Sequence, residues 1–172
     1  KNVSQLESLL QRSSMYRRKL VVTDSVFSMD GDTAPLPEIV NIAKRYDAIL
    51  MVDDAHATGV FGKQGKGMIE HCGLEGKIDI VMGSLSKAVG SIGGFIAGSK
   101  PLIDFLKNKA RPFIYTTALP PAVCAASMAG LTLIQEDVSL IDTLWKNIAF
   151  LKSRLSTFMD TIAGESPIVP LI

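Results

Sequence analysis

A lysine among small residues is the first candidate for chemistry in this sequence. Lys87 lies in residues 83–88, Gly-Ser-Leu-Ser-Lys-Ala, after an apolar run that predicts a buried strand and before a glycine-rich turn. Burial penalises the charged form of an amine and lowers its pKa, which makes the neutral amine available to attack a carbonyl carbon. The alternative for this residue alone is a surface lysine at the edge of a loop.

An acidic pair and a histidine follow a second predicted strand. The apolar run from Ala48 to Val52 ends in Asp53 and Asp54, and His56 comes two residues later. Because side chains alternate along a strand, only one of the two carboxylates can reach a given ligand. A carboxylate here is costly without a cationic partner. The alternative for the aspartate is an N-cap of a helix or a turn residue, and the alternative for His56 is a histidine packed in a loop.

Together these groups match what pyridoxal 5'-phosphate (PLP) requires. That cofactor needs a lysine for its carbonyl carbon, an acid beside its pyridine nitrogen, and hydroxyls or backbone amides for its phosphate. Lys87 and Asp53 are candidates for the first two roles, and the hydroxyls of Ser84 and Ser86 stand beside the lysine. His56 could hydrogen-bond the phenolic oxygen of the ring.

Motifs for other ligands are absent or incomplete in the sequence. Residues 62–67, Gly-Lys-Gln-Gly-Lys-Gly, have no hydroxyl after either lysine, as a P-loop requires, and no G-x-G-x-x-G follows a strand. Residues 30–32, Asp-Gly-Asp, lack the other ligands of a calcium loop, and His56 and His71 are not spaced as a helical zinc pair. The sequence therefore predicts no metal site.

The composition indicates a folded domain without a nucleic-acid or membrane partner. With 172 residues, 47% of them hydrophobic and 20% charged, the chain has the profile of one globular domain. Eighteen basic and 17 acidic residues give a net charge of +1, too little to attract nucleic acid or an anionic membrane. Cys72 and Cys124 form no paired motif. We find no apolar stretch of about 20 residues and no signal peptide, so the expected compartment is the cytoplasm.

Short apolar runs that alternate with amphipathic stretches predict the elements that position these groups. Leu20 to Val22 are expected to be buried on both sides, as in a central parallel strand. The apolar stripe that begins at Ile141 predicts a long helix packed on its own sheet. The expected strands are 19–23, 48–52, 78–82, 95–97 and 113–115, and the expected helices are 2–14, 36–46, 100–109, 120–136 and 141–158.

The predicted fold class is α/β, a three-layer α/β/α arrangement with a mostly parallel central sheet. In such sheets ligands bind beyond the carboxyl ends of the strands. Asp53, His56 and Lys87 all follow the ends of predicted strands. The predicted topology therefore brings the candidate residues to one edge of the sheet.

Four stretches of the sequence resemble, in order, the α-oxoamine synthase family of fold-type I PLP enzymes. The resemblance implies the large domain of a PLP-dependent transferase (aspartate aminotransferase-like), incomplete here. Residues 1–160 would be its central part, and residues 161–172 would start the connection to a C-terminal domain. The four stretches are 23–32 (Thr-Asp-Ser-Val-Phe-Ser-Met-Asp-Gly-Asp), 52–62 (Val-Asp-Asp-Ala-His-Ala-Thr-Gly-Val-Phe-Gly), 83–94 (Gly-Ser-Leu-Ser-Lys-Ala-Val-Gly-Ser-Ile-Gly-Gly) and 113–121 (Phe-Ile-Tyr-Thr-Thr-Ala-Leu-Pro-Pro).

The resemblance also implies a role for each matching residue. Lys87 would attach the cofactor and then move the Cα proton of the substrate, Asp53 would face the pyridine nitrogen, and His56 the phenolic oxygen. A pair of threonines would reach the phosphate bound in the other subunit, which implies a homodimer with shared active sites. The remaining implied cofactor contacts are Ser28, Ser84 (where the family usually has threonine), Thr116 and Thr117.

Within the family, residues 53–59 and 117–121 most resemble the branch that joins L-alanine to a pimeloyl thioester, carried by CoA or an acyl carrier protein, in biotin biosynthesis. The open alternatives are the glycine-using branches, 2-amino-3-ketobutyrate CoA ligase and 5-aminolevulinate synthase, or a non-catalytic PLP-fold subunit. Such subunits lack the lysine, so Lys87 disfavours them. Another fold-type I enzyme, such as an aminotransferase or threonine aldolase, and a plain binding domain are further alternatives.

Overall fold

A computed structural model describes residues 1–158 and 165–170 of the chain. The described residues form a four-stranded sheet with helices before, between and after its strands. The strands are β1 (Leu20–Asp24), β2 (Ile49–Asp53), β3 (Ile80–Ser84) and β4 (Gly94–Gly98). The helices are α1 (Val3–Arg12), α2 (Leu36–Arg45), α3 (Met68–His71), α4 (Lys100–Lys109), α5 (Arg111–Ile114), α6 (Pro121–Glu136) and α7 (Ser139–Leu155).

The sheet is mixed and mostly parallel, with the strand order β1-β2-β3-β4. β1, β2 and β3 are parallel, and β4 is antiparallel to β3. Asp24 is in register with Asp53, and Asp53 with Met82, so the carboxyl ends of the three parallel strands lie at the same edge. The predicted α/β fold class is confirmed.

The main hydrophobic core lies on one face of the sheet. Val21, Leu50 and Val52 alternate toward this face and are almost fully buried. They share one cluster with the apolar side of α2, whose buried residues recur at the three- and four-residue spacing of a helix face. The buried residues of α2 are Leu36, Ile39, Val40, Ile42 and Ala43. This packing fixes β1 and β2, whose ends carry candidate residues.

The prediction that β1 is buried on both faces is wrong. Leu20 is 58% exposed and Val22 57% exposed, whereas Val21 between them is buried. Ile49, in register with Leu20, is also exposed on that face. The reason is that, among the described residues, α2 and its neighbours pack against the opposite face only.

The predicted strand at residues 113–115 is also wrong, because this segment begins within α5. Pro112 lies in the first turn of α5, where its fixed φ and missing N–H are tolerated. Three consecutive apolar residues carry no periodicity that separates a strand from a helical turn. The residues at 113–115 are exposed.

Helix α7 packs on the segment that follows β2. Trp145 donates its indole N–H to the carbonyl oxygen of Val60 at 2.9 Å, and its ring meets Phe61 edge to face at 5.1 Å. Ile141 and Ile148 are buried, so the predicted apolar stripe is used in the first part of the helix. In the part of the chain that the structure describes, no helix is long and apolar enough to cross a membrane.

Candidate functional site

Three strand ends define the candidate site. Asp24, Asp53 and Ser84 are the last residues of β1, β2 and β3, and these strands run parallel. Two connecting segments leave from this edge. We name residues 54–67 the β2 loop and residues 85–93 the β3 loop. The sequence-predicted residues Asp53, His56, Ser84 and Lys87 all belong to this edge or to these loops.

Asp53 is partly exposed at the end of β2 and has an available carboxylate oxygen. Its Oδ1 accepts the backbone N–H of Ala55 at 2.9 Å, and its main-chain oxygen accepts the N–H of Ser25 at 2.8 Å. Oδ2 accepts no hydrogen bond from any residue within 1–158 or 165–170. The carboxylate is therefore oriented by its own backbone and keeps one oxygen for a ligand.

Asp54 points the other way and is buried, with 1% of its surface exposed. Its two carboxylate oxygens lie 3.3 and 3.2 Å from the backbone nitrogen of Met68, which donates to them. The pKa of Asp54 is raised to about 6, mainly by burial and to a smaller extent by nearby Asp53, while Ser25 and the Met68 N–H act to lower it. The Ser25 hydroxyl lies close enough to lower this pKa, although it makes no hydrogen bond of normal geometry.

His56 is half-buried in a hydrogen-bonded turn of the β2 loop. The backbone N–H groups of Ala57 and Thr58 donate to the main-chain oxygen of Asp54 at 3.0 and 2.8 Å. The Thr58 hydroxyl donates to the same oxygen at 2.9 Å. These bonds enclose His56 on both sides along the chain and fix the backbone from which its ring projects.

Lys87 is exposed, which agrees with the loop-edge lysine that the sequence left open and not with a buried amine. Its neighbours Ser86 and Ala88 are exposed as well. Its ammonium group has no hydrogen bond or ion pair with the described residues. Its main-chain oxygen accepts the N–H of Gly90 at 3.0 Å. The amine is accessible to a ligand.

A pair of hydroxyls stands between β3 and Lys87. The Oγ atoms of Ser84 and Ser86 are 2.8 Å apart, and Ser84 Oγ accepts the backbone N–H of Ser86 at 3.1 Å. Ser84 is 7% exposed, while Ser86 is exposed. The β3 loop closes above them, because Leu85 donates its N–H to the oxygen of Gly93 at 2.9 Å. Two hydroxyls and turn amides are suitable donors to an anion.

The β3 loop is also held from outside by α6. A Cβ at Gly130 of α6 would lie 2.4 Å from the main-chain oxygen of Val89, so the helix and the loop meet where a side chain is missing. Ser127 donates its hydroxyl to Ser91 Oγ at 2.8 Å, and Ser91 donates to the oxygen of Val123 at 3.2 Å. The loop that carries Lys87 thus depends on a helix about 40 residues later in the sequence.

The other three predicted residues are farther along the surface. Ser28 is exposed and lines a cavity of about 370 Å³ together with Asp24, at the carboxyl end of β1. Thr116 and Thr117 are exposed between α5 and α6, and neither forms a hydrogen bond with a described residue. The structure therefore brings Ser28 to the same edge but gives the two threonines no partner in the described chain.

Several residues that shape the site were not predicted from the sequence. Asp54 was named only as the neighbour of Asp53, although strand alternation already placed it on the other face. Gly67, Ser127 and Gly130 act through contacts between distant segments. In the sequence these positions show only a glycine or a serine, and the residue type alone does not indicate which distant atom it will contact.

Comparisons with known proteins agree with this arrangement. The family model described as aminotransferase class I and II matches residues 2–172. The 8-amino-7-oxononanoate synthase 1 of Bacillus subtilis (strain 168) is 49% identical over 99% of this chain and 44% of its own length. The 8-amino-7-oxononanoate synthase of Thermosipho melanesiensis is 47% identical over 100% of this chain and 44% of its own. The chain spans less than half the length of these curated relatives.

Solved structures of similar proteins share the fold. A serine palmitoyltransferase from S. paucimobilis, described with a bound PLP–myriocin aldimine, superposes with a TM-score of 0.92 at 36% identity over 99% of this chain and 46% of that one. An 8-amino-7-oxononanoate synthase from Francisella tularensis gives a TM-score of 0.73 at 28% identity over 95% of this chain and 48% of that one. The resemblance to the α-oxoamine synthases is confirmed, and the chain belongs to the aminotransferase class I and II family.

Proposed function

We propose that the protein is a PLP-dependent acyltransferase that condenses L-alanine with a pimeloyl thioester to give 8-amino-7-oxononanoate. The observation that carries the proposal is the placement of Asp53, His56, Ser84 and Lys87 around one edge of a parallel sheet. A further fact supports it: the chain is 47–49% identical to proteins named for that product.

The residues present fit PLP. The uncommitted Oδ2 of Asp53 can accept a pyridinium N–H, and His56 in its fixed turn can hydrogen-bond the phenolic oxygen. The paired hydroxyls of Ser84 and Ser86 are suitable donors to a phosphate. Lys87 is exposed and unpaired among the described residues, so its amine can reach the cofactor's carbonyl carbon. Ser28 is proposed as a further contact in the cofactor pocket.

When bound, PLP supplies a protonated aromatic ring that delocalises negative charge from the α-carbon of an amino acid. The protein's own residues do the rest. Asp53, as an anion, keeps the pyridine nitrogen protonated. Lys87 would hold the cofactor by its carbonyl carbon and would also serve as the general base that removes the Cα proton and keeps it nearby. Because Lys87 is on an exposed loop, its side chain has the freedom to play both parts.

The overall reaction joins the α-carbon of alanine to the acyl carbon of the thioester. The thiol leaves as the new carbon–carbon bond forms, and the carboxyl group of alanine is lost as carbon dioxide. We propose a pimeloyl group carried by CoA or by an acyl carrier protein. The glycine-using branches of the family would run the same steps with a shorter or different acyl group, so the substrates must be tested directly.

We further propose a homodimer with shared active sites. Thr116 and Thr117 are exposed and make no hydrogen bond within the described chain, as expected if they contact the phosphate bound in the partner. Residues 1–160 are proposed as the central part of the PLP-binding domain and 161–172 as the start of the connection to a C-terminal domain, a proposal that lies partly outside the described residues. We propose the cytoplasm as its compartment.

The first experiment is Lys87→Ala in the full-length protein, with Lys63→Ala as the matched control. Lys63 is an exposed lysine of the neighbouring β2 loop that we place in no role. After incubation with PLP and removal of the free cofactor, Lys87→Ala is expected to lose the visible absorbance of covalently held PLP and all turnover. The control is expected to keep both. Visible absorbance that survives in Lys87→Ala would overturn the assignment of this lysine.

A substrate matrix then decides the branch. Alanine and glycine are each offered with pimeloyl, acetyl and succinyl thioesters, and the released thiol and the product mass are measured. Product from alanine with the pimeloyl thioester supports the proposal. Product only from glycine with acetyl or succinyl thioesters would assign the protein to a glycine-using branch.

A further inference from the structure

Asp54 is buried at the sheet edge and has no part in the proposed reaction. It is 1% exposed, and its carboxylate accepts the backbone N–H of Met68 and has no cationic partner among the described residues. A buried carboxylate without a cation costs stability. Its pKa is raised to about 6, mainly because burial disfavours the charged form, and this shift reflects the cost in stability. A costly buried group directly beside a site is a candidate for a functional role.

Asp54 connects three parts of the molecule. Its N–H donates to the oxygen of Met82 in β3 at 2.7 Å, and its own main-chain oxygen accepts the N–H of Thr58 at 2.8 Å and the Thr58 hydroxyl at 2.9 Å. Its carboxylate accepts the N–H of Met68, the first residue of α3. Movement of the strand end, of the His56 turn or of α3 would therefore disturb the same residue.

The backbone around Asp54 is built to let this carboxylate approach. Gly67, at the end of the β2 loop, has a φ of +103°, a conformation that favours glycine. A Cβ at Gly67 would lie 1.8 Å from Asp54 Oδ2. The Asp54 carboxylate thus occupies the space that the Cβ of any other residue at position 67 would fill. The contact between Asp54 and the start of α3 therefore requires a glycine at position 67.

We infer that Asp54 is a positioning residue that fixes Asp53 and His56 at the sheet edge, where they hold the cofactor ring. The inference rests on the proposed function. Asp53 precedes Asp54 directly, and His56 lies inside the turn that closes on the Asp54 main-chain oxygen. Asp53 and Asp54 face opposite sides of the sheet, so Asp54 acts through its neighbours and does not touch the ligand.

The test compares Asp54→Asn and Asp54→Ala with Asp79→Asn in the full-length protein. Asp79 is a matched control, because its Oδ2 also accepts a backbone N–H, in this case that of Leu50 of β2 at 2.9 Å, but at the far end of the strand. Four quantities are measured: the dissociation constant for PLP, the absorbance maximum of bound PLP, kcat and KM for the amino acid, and hydrogen exchange at the Thr58 amide.

Asp54→Ala is expected to weaken PLP binding about tenfold or more, as the loss of a residue that supports a ligand does in metal sites. It is also expected to shift the absorbance maximum of bound PLP. We expect kcat to fall more than KM rises, and the Thr58 amide to exchange faster. Asp54→Asn keeps one oxygen for the Met68 N–H and is expected to recover part of each loss. Asp79→Asn is expected to bind PLP like the wild type.

Two outcomes overturn the inference. One is that Asp54→Ala has the wild-type PLP affinity and spectrum. If that variant does not fold, Asp54→Asn decides, since it keeps one oxygen for the Met68 N–H but loses the second acceptor oxygen and is expected to cause a smaller shift in the same direction; a wild-type spectrum there overturns the inference. Lys87→Ala separates the two proposals, because retained visible absorbance in that variant overturns the proposed function itself.

Discussion

The β2 loop and the β3 loop leave the same edge of the sheet but are stabilised differently. The β2 loop is part of the core, with Ala55, Ala57 and Phe61 at most 4% exposed and Trp145 of α7 packed on it. In the β3 loop Lys87 and its neighbours are exposed, and Val89 is the buried apolar residue. One loop is part of the core, whereas the other is a surface segment held by α6.

This difference suits two chemical demands. Groups that hold a flat ring must keep a fixed position, which Asp53 and His56 have because the buried β2 loop fixes their backbone. An amine that binds a cofactor and then moves a proton, as proposed for Lys87, must be accessible, and Lys87 is exposed. The following predictions test whether the β2 loop is fixed by core packing and the β3 loop by its contacts with α6.

Gly67→Ala is expected to cause the largest loss, and it breaks the internal packing of the β2 loop. The new Cβ would combine an unfavourable φ of +103° with a contact of 1.8 Å to Asp54 Oδ2. We expect the free energy of unfolding to fall by about 3 kcal/mol or more, measured by urea denaturation.

The matched control for Gly67→Ala is Gly73→Ala. Gly73 also has a positive φ, +63°, but a Cβ there meets nothing within 4 Å. Only the backbone strain remains, so a loss of about 1 kcal/mol is expected. Equal losses in the two variants would contradict the close contact between Gly67 and Asp54.

The pH dependence of stability tests the burial of Asp54. Its pKa is raised from 3.8 to about 6, so the folded state holds this proton more tightly than the unfolded chain. The free energy of unfolding therefore falls as the pH rises from about 4 through 6, by about 3 kcal/mol for a shift of about two units. The nearby groups that interact with Asp54 are Asp53, Ser25 and Cys72. The pKa of the Cys72 thiol is raised by burial and then by Asp54 and Glu38.

Asp54→Asn removes this contribution, because an amide does not titrate. The stability of the variant relative to the wild type is expected to rise by about 3 kcal/mol between pH 4 and pH 7, measured by urea denaturation at both values. Taking the difference between the two proteins cancels the other titrating groups. A difference that is constant across this range would show that Asp54 is not buried as described.

The sequence predicted the strands better than the surroundings of the strand ends. Apolar runs such as residues 48–52 identified β2 within one residue, because a buried strand must exclude polar groups. The direction in which Asp53 and Asp54 point also followed from alternation. Burial did not follow, since Leu20 and Val22 are as apolar as Val21 and yet exposed. Whether a helix covers a given face depends on tertiary packing and not on the strand itself.

The site was predictable where chemistry restricts the residue type. A lysine, an acid and a histidine after strand ends formed a pattern that resembled one enzyme family, although their roles remain proposals. The exposure of Lys87 and the contact of Gly130 with Val89 were not predictable, because they depend on how α6 meets the β3 loop. From the sequence alone, a glycine within a helix is expected to destabilise that helix, whereas Gly130 leaves room for the β3 loop to approach α6.

Gly130→Ala tests whether α6 holds the β3 loop. Alanine favours a helix over glycine by about 1 kcal/mol, but the new Cβ would lie 2.4 Å from the Val89 oxygen. We expect a net loss of about 1–2 kcal/mol in the free energy of unfolding and faster tryptic cleavage after Lys87.

The control for Gly130→Ala is Ala129→Gly, at an exposed position of the same helix. It weakens the helix by about 1 kcal/mol without a contact to the loop, so cleavage after Lys87 is expected at the wild-type rate. Equal cleavage rates in the two variants would show that the β3 loop does not depend on its contact with Gly130.

Ser127→Ala has the smallest expected effect and tests the polar link between α6 and the β3 loop. It removes the hydroxyl that donates to Ser91 Oγ, while Ser91 keeps the oxygen of Val123 as its acceptor at 3.2 Å. Because no buried hydroxyl is left unpaired, we expect a loss of about 1 kcal/mol and about fivefold faster tryptic cleavage after Lys87. Ser153→Ala removes an exposed helical serine that bonds only within its own helix and is expected to change neither. If the two serine variants are cleaved at the same rate, the Ser127 hydroxyl does not help to hold the β3 loop.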